Sequence, residues 1–122
     1  MGLFDIFKKK EDKQTTQVSA DYSTIDSDEK AQKLFTKKEL VKLYLTPLEF
    51  GGPDLRMNIL FVPPFANSQK IDFDTKIGKM LQDGLKLGYS ANPKYKGSSL
   101  IPSQIILNVK GDSTITETIN IW

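Results

Sequence analysis

The clearest pattern of apolar and polar positions in the chain lies in residues 72–84. Its apolar side chains fall at i, i+4, i+7 and i+8, the spacing of one buried helix face: Phe73, Ile77, Met80 and Leu81. Strand-like runs lie on both sides of this stretch. The pattern therefore predicts one amphipathic helix that packs across a sheet.

The ends of this helix carry capping signals. Asp72 and Asp74 suit the N-terminus, where a carboxylate can accept backbone N–H groups, and Gly84 suits a left-handed C-terminal cap. Asn67 and Ser68 are alternative N-caps that would start the helix one turn or more earlier. We expect the cap role for the two aspartates rather than a paired-carboxylate or cation site, since no calcium-loop pattern surrounds them.

Five further runs predict strands. The second is apolar at successive positions, which indicates a central strand covered on both faces, whereas the others alternate and bury one face. Because a helix connects the second and third strands, a parallel pair between them is an open alternative. The five runs are Val41–Leu45, Asn58–Val62, Leu85–Ala91, Ile105–Val109 and Ile115–Ile121.

The last two strands predict a hairpin of defined register. A loop of odd length around Gly111 sets Val109 opposite Ile115 and Ile105 opposite Ile119, so apolar residues share one face. A two-residue loop would instead oppose apolar and polar residues. With the odd loop, Glu117 interrupts the inward face, which suggests that the last strand is an edge strand.

The remaining segments complete the domain organisation. Ser27 can cap a short helix over residues 28–38, and residues 1–26 form an amphipathic segment followed by a polar linker. We predict a single α+β domain over residues 27–122, a mostly antiparallel sheet of about five strands in the order β-β-α-β-β-β with one helix on a face. A short helix and a flexible N-terminal arm precede it.

The amino-acid composition excludes several classes of catalytic and metal-binding site. The chain has 122 residues, no cysteine and no histidine, which excludes disulfides, thiolate nucleophiles, histidine-ligated metals and the Ser-His-Asp triad. No apolar run approaches the roughly 20 residues of a transmembrane helix, and the first residues do not form a secretory signal. We expect a cytoplasmic protein that needs no cofactor.

The first ten residues form a short basic amphipathic segment with four apolar side chains, Leu3, Phe4, Ile6 and Phe7, followed by Lys8–Lys10. Such a segment can adsorb to an anionic membrane surface, where lysines meet headgroups. The alternative is that the apolar side chains dock on the body of the protein or on a second copy. We favour docking, because so short a segment buries little area in lipid.

Large apolar and basic side chains in the loops indicate a surface for a partner. The candidate binding residues are Phe50, Arg56, Phe65, Tyr95, Lys94 and Lys96. The alternative is that loops with large apolar residues fold back to complete a small core. Both alternatives also apply to Leu100 and Ile101. The Gly51–Pro53 stretch matches no phosphate-binding pattern and is interpreted as a turn.

These observations favour a non-enzymatic protein-binding module, an adaptor or a neutralising protein of unknown partner. Weak binding of nucleic acid or of an anionic membrane through lysines is a second hypothesis, ranked lower because Arg56 is the only arginine and the net charge is +2. A carboxylate- or metal-dependent enzyme is the third. It requires carboxylates that converge in a concave pocket.

Overall fold

The computed structural model describes residues 20–122, so Leu3, Phe4, Ile6 and Phe7 lie outside the described range. Short 3₁₀ turns occur at Leu48–Phe50 and Arg56–Asn58. The predicted α+β class and the strand–helix order are confirmed. In chain order the helices and strands are α1 Asp28–Thr36, β1 Val41–Tyr44, β2 Ile59–Val62, α2 Pro64–Gln82, β3 Leu87–Lys94, β4 Gln104–Gly111 and β5 Ile115–Asn120.

The five antiparallel strands form two sheets, a β1-β2 pair and a three-stranded sheet of order β3-β4-β5. The alternative of a parallel pair between β2 and β3 is therefore wrong. One reason lies at the outer edge of β2, where Arg56 Nη1 donates a hydrogen bond to the carbonyl of Ile59 at 2.7 Å. The Arg56 side chain thus occupies a backbone acceptor of β2 that a neighbouring strand would otherwise use.

Helix α2 begins two turns earlier than the acidic caps predicted. Pro63 is the N-cap residue and Pro64 opens the helix, a position where proline's fixed φ and missing N–H cost nothing. Asp72 and Asp74 consequently lie inside the helix, so their predicted capping role is wrong. The predicted C-terminus is correct, since Gly84 has a φ of +94° just after the helix.

The register of the last hairpin is the one predicted from the odd-length loop. Val109 pairs with Ile115 and Ile105 pairs with Ile119. Leu107 faces Glu117, and β5 is an edge strand of its sheet. The alternation of apolar side chains thus determines the pairing, because any one-residue slip would turn them to solvent.

Strand β3 extends three residues beyond its predicted end. Pro93 pairs with Ile105, and Lys94 pairs with Gln104. Proline is tolerated here because β3 is an edge strand, where a missing N–H need not interrupt the ladder. The following loop therefore begins at Tyr95 and not at Asn92.

Two apolar cores meet at β2. Leu60 and Val62 belong to the main core, which α2 and the three-stranded sheet complete, and Phe61 belongs to a smaller core. Strand β2 is thus covered on both faces as predicted, although it is not central, since β1 is its one partner in the described residues. The smaller core contains Ala31, Leu40, Phe61 and Ile101.

The segment before α1 packs against the smaller core. Tyr22 and Ile25, in the stretch assigned to the linker, contact this core, and the backbone N–H of Leu100 donates to Ile25 O at 2.8 Å. Ser27 Oγ accepts the N–H of Lys30, which confirms the predicted cap of α1. Within residues 20–122, every helix is too short or too polar to cross a bilayer.

Candidate functional site

The structure separates the six candidate partner residues. Phe50 and Phe65 pack against the main core, and the ring of Phe50 lies edge-on to Tyr89 with centroids 5.9 Å apart. Phe65 is not in a loop but in the first turn of α2. Arg56 and Tyr95, by contrast, line the same cavity although they lie 39 residues apart in the chain. Tertiary folding thus brings together two of the six.

We call Leu55, Arg56, Met57 and Tyr95 the arginine patch. Its three apolar side chains are unusually exposed, with fractions of 57% for Leu55, 79% for Met57 and 48% for Tyr95. Arg56 and Tyr95 line a cavity of about 360 Å³, and Leu55 and Met57 are the chain neighbours of Arg56. Leu60 and Phe61 of β2 and the residues 97–100 form its other walls.

Three contacts hold the Arg56 guanidinium in place. Besides the bond to the Ile59 carbonyl, Nη2 lies 2.7 Å from Asp28 Oδ1, and the group sits 5.3 Å from the centroid of the Phe61 ring. Its side chain nevertheless remains about half exposed. The arginine is therefore positioned before any partner arrives, which lowers the entropy lost on binding.

The tyrosine and lysines of the following loop have different surroundings. Burial raises the pKa of Tyr95, and the nearby charge of Arg56 opposes that rise. Lys94 ends β3 with an exposed side chain. Lys96 Nζ lies 4.9 Å from the ring centroid of Trp122, beside a separate cavity of about 440 Å³. Neither lysine lines the cavity of the arginine patch.

A second concave surface lies between β1 and α2, and we call it the lysine groove. Its volume is about 270 Å³. Leu48 and Ile71 stand on its rim with exposed fractions of 44% and 52%. The lining residues are Lys42, Tyr44, Pro47, Leu48, Glu49, Asn67, Lys70, Ile71 and Asp74.

A buried ionic network forms the floor of this groove. Lys70 is 1% exposed, and its Nζ donates to Asp74 Oδ2 at 2.7 Å. The hydroxyl of Tyr89 donates to the other oxygen, Asp74 Oδ1. Lys70 Nζ also lies 5.4 Å from the centroid of the Tyr89 ring. The three side chains hold one another in place inside the main core.

Burial shifts the pKa of every member of the network toward the uncharged form. It lowers the pKa of Lys70 and raises that of Asp74, and their mutual attraction opposes both shifts. Burial also raises the pKa of Tyr89 strongly, and its hydrogen bond to Asp74 adds to this effect. The pairing of Lys70 with Asp74 at 2.7 Å offsets part of the cost of burying the two groups.

Sequence reasoning missed this network, although a signal was present. Ala66, Lys70, Phe73 and Ile77 follow the spacing of one helical stripe, and all four are buried. A lysine at a stripe position, with an aspartate four residues later, indicates an internal ion pair. This stripe is visible only if the helix begins near Pro64. The acidic residues Asp72 and Asp74 instead indicated a start at residue 72, which leaves Lys70 outside the helix.

The groove brings two carboxylates together, the arrangement that the enzyme hypothesis requires. Glu49 and Asp74 both line it, and the charge of Glu49 contributes to the raised pKa of Asp74. Both oxygens of Asp74 already accept hydrogen bonds, from Lys70 and Tyr89. In the described part of the chain, no three acidic side chains are grouped as metal ligands.

The sequence matches no protein-family model, and no similar protein is found among curated sequences. The function is therefore inferred from the geometry of the two surfaces.

Proposed function

We propose that the protein is a non-enzymatic protein-binding module whose arginine patch contacts the partner. The observation that supports this proposal is a positioned arginine that the exposed Leu55 and Met57 flank in the chain and that shares a cavity with the exposed Tyr95. Exposed clusters of large apolar side chains are typical of interaction sites, and tyrosine and arginine are enriched among the residues that dominate binding energy. Binding would remove this apolar surface from water.

The charges around the patch favour a protein over a polyanion. Asp28 neutralises Arg56 at 2.7 Å, and Asp21 lies close enough to Lys96 to be influenced by its charge. A phosphate backbone approaching Arg56 or Lys96 would meet a carboxylate beside that cation. Polyanion binding instead requires a concentrated basic surface.

The contacts of Asp74 argue against catalysis in the lysine groove. A general base needs a free oxygen within reach of the substrate proton, and a hard cation needs carboxylate oxygens that no ammonium already neutralises. Asp74 is paired with Lys70 and accepts the Tyr89 hydroxyl. Although Glu49 and Asp74 both line the groove, the exposed arginine patch therefore supports protein binding more strongly than the groove supports catalysis.

The first step of the test identifies the partner through the patch itself. A photo-reactive amino acid in place of Met57 should form a covalent adduct with the partner in cells, because this side chain is 79% exposed. The same amino acid in place of Leu81, which is 38% exposed on α2, serves as the matched control. Mass spectrometry of adducts specific to position 57 then identifies the partner.

The second step measures affinity for the purified partner by calorimetry. Met57→Ser and Tyr95→Ser should each weaken binding by about 2 kcal/mol, roughly 30-fold, as expected for residues central to an interface. Leu81→Ser should leave affinity unchanged. Arg56→Ala is a poorer test, because it also removes contacts to Ile59 and Asp28. Equal affinity for all variants would show that the patch is not the binding surface.

A further inference from the structure

The lysine groove runs along the edge of β1 that faces away from β2, where no strand of residues 20–122 pairs. The N–H of Leu45 donates to Asn58 O at 2.9 Å, so in the alternating antiparallel pattern the N–H and C=O groups of Lys42 and Tyr44 point away from β2. Leu43 packs into the main core with α2, so the side chains of Lys42 and Tyr44 lie on the opposite face. A groove lined by both residues and by α2 must pass along this edge.

Within residues 20–122, the edge and its rim lack a covering segment. Among the described residues, no backbone hydrogen bond from an element other than β2 reaches Lys42 or Tyr44. Leu48 and Ile71 expose about half of their surface on the rim, and Lys70 makes one hydrogen bond to a described residue although an ammonium has three N–H groups. The groove thus combines apolar walls with unused hydrogen-bonding groups.

We propose that the N-terminal segment Leu3–Phe7 of the same chain docks in the lysine groove. The groove is charge-balanced, with Lys42 and Lys70 against Glu49 and Asp74, so it suits a mainly apolar segment. Leu3–Phe7 has four apolar side chains around a single acidic one, Asp5. Asp5 can meet Lys42, and the lysines that follow can meet Glu49.

The connecting chain is long enough for this contact. Residues 8–19 lie between the segment and the first described residue, and twelve residues extend to about 40 Å. A domain of about 100 residues has a radius of gyration near 13 Å, so the segment can reach any face. Tethering also gives an effective concentration in the millimolar range, which allows a small apolar contact to persist.

Paramagnetic relaxation in the full-length protein tests the proposal. The chain has no cysteine, so Gly2→Cys carries the only nitroxide label and leaves the docking side chains intact. The label should cause loss of amide peak intensity near Lys42, Leu48 and Ile71. The amides of Tyr95 and Ser98, which line the separate cavity of the arginine patch, should keep their intensity.

Two labelled variants should restore the lost intensity, one on each side of the contact. Ile71→Ser alters an exposed rim residue, and the double variant Phe4→Ser, Phe7→Ser alters the segment. Leu81→Ser, a comparable exposed residue farther along α2, is the control and should change nothing.

The proposal would be overturned by no loss of intensity, by a loss spread evenly over the surface, or by a loss centred on the arginine patch. A loss that appears only when labelled protein is mixed with separate isotope-enriched protein would assign the contact to a second copy and would also overturn it. The arginine patch and its partner take no part in this experiment, so the two proposals stand or fall separately.

Discussion

At the scale of single residues, Lys70 introduces a buried ion pair into the main core. It occupies a stripe position of α2 that would ordinarily be apolar, and it is almost fully buried beside Asp74. A buried ion pair adds little to stability compared with apolar residues of the same size, but the loss of one partner is costly. We therefore expect that replacing one partner of the pair lowers the free energy of unfolding more than replacing both partners.

Lys70→Met should lower the free energy of unfolding by about 3–5 kcal/mol, because it leaves the Asp74 carboxylate buried without a counter-charge. Adding Asp74→Asn to the same chain should recover part of the loss, since the amide still accepts the Tyr89 hydrogen bond without a charge. Urea unfolding measures both. Lys79→Met, an exposed lysine on the same helix, is the control and should change stability by less than about 0.5 kcal/mol.

Tyr89 should be the last tyrosine to ionise in the folded protein. Burial first, and then its bond to Asp74, raise its pKa well above the ordinary 10.0. The unfolded state thus loses this proton at a lower pH than the folded state. The contribution of the protonated Tyr89 hydroxyl to the free energy of unfolding is therefore fully present below about pH 10. This contribution is lost as the pH rises above 10 toward the pKa of the folded state.

Titration of the phenolate absorbance with alkali measures this behaviour. Tyr89→Phe should remove the latest step, whereas Tyr44→Phe should remove an earlier one. The hydrogen bond from the Tyr44 hydroxyl to Asp54 at 3.0 Å also raises the pKa of Tyr44, but this bond is exposed to solvent. If Tyr89→Phe instead removes the earliest step, the hydroxyl is not held as the structure describes.

At the scale of elements, a glycine inside α2 and a glycine just after its end have opposite roles. Gly78 lies inside the helix, and a Cβ there would meet Phe50 Cε1 at 3.6 Å, an ordinary contact. Gly78→Ala should therefore stabilise the protein by about 1 kcal/mol, the difference in helix propensity. Gly84→Ala should destabilise it by about 1–2 kcal/mol, because its φ of +94° is strained for any L-residue with a side chain.

Urea unfolding of the two variants checks both signs in one experiment. A destabilising Gly78→Ala would mean that the loop carrying Phe50 packs too tightly on α2 to accept a methyl group. An unchanged Gly84→Ala would mean that the left-handed conformation does not cap α2.

At the scale of the whole molecule, α2 joins the two sheets. It contacts β1 on one side and β5 on the other, and Lys76 Nζ lies 3.9 Å from Glu117 on β5. The lysine groove forms where α2 passes the edge of β1. The arginine patch forms elsewhere, where the loop after β3 meets the turn before β2.

The sequence by itself determined the elements whose neighbours are local. Alternation placed four strands, a continuous apolar run placed β2, and the odd loop around Gly111 set the pairing of Val109 with Ile115. Ser27 and Gly84 marked the ends of their helices. In each case a period or a cap acts over a few residues, so the physical cause is visible in the local sequence.

Only the tertiary structure decided what depends on distant contacts. The sequence predicts that Asp74 caps the helix, whereas in the structure Lys70 and Tyr89 hold it inside the core. The five strands divided into two sheets, and Arg56 met Tyr95 across 39 residues, because packing selects these partners from many sterically equivalent ones. Periodicity shows which side chains turn inward, but it carries no information on which distant side chains they meet there.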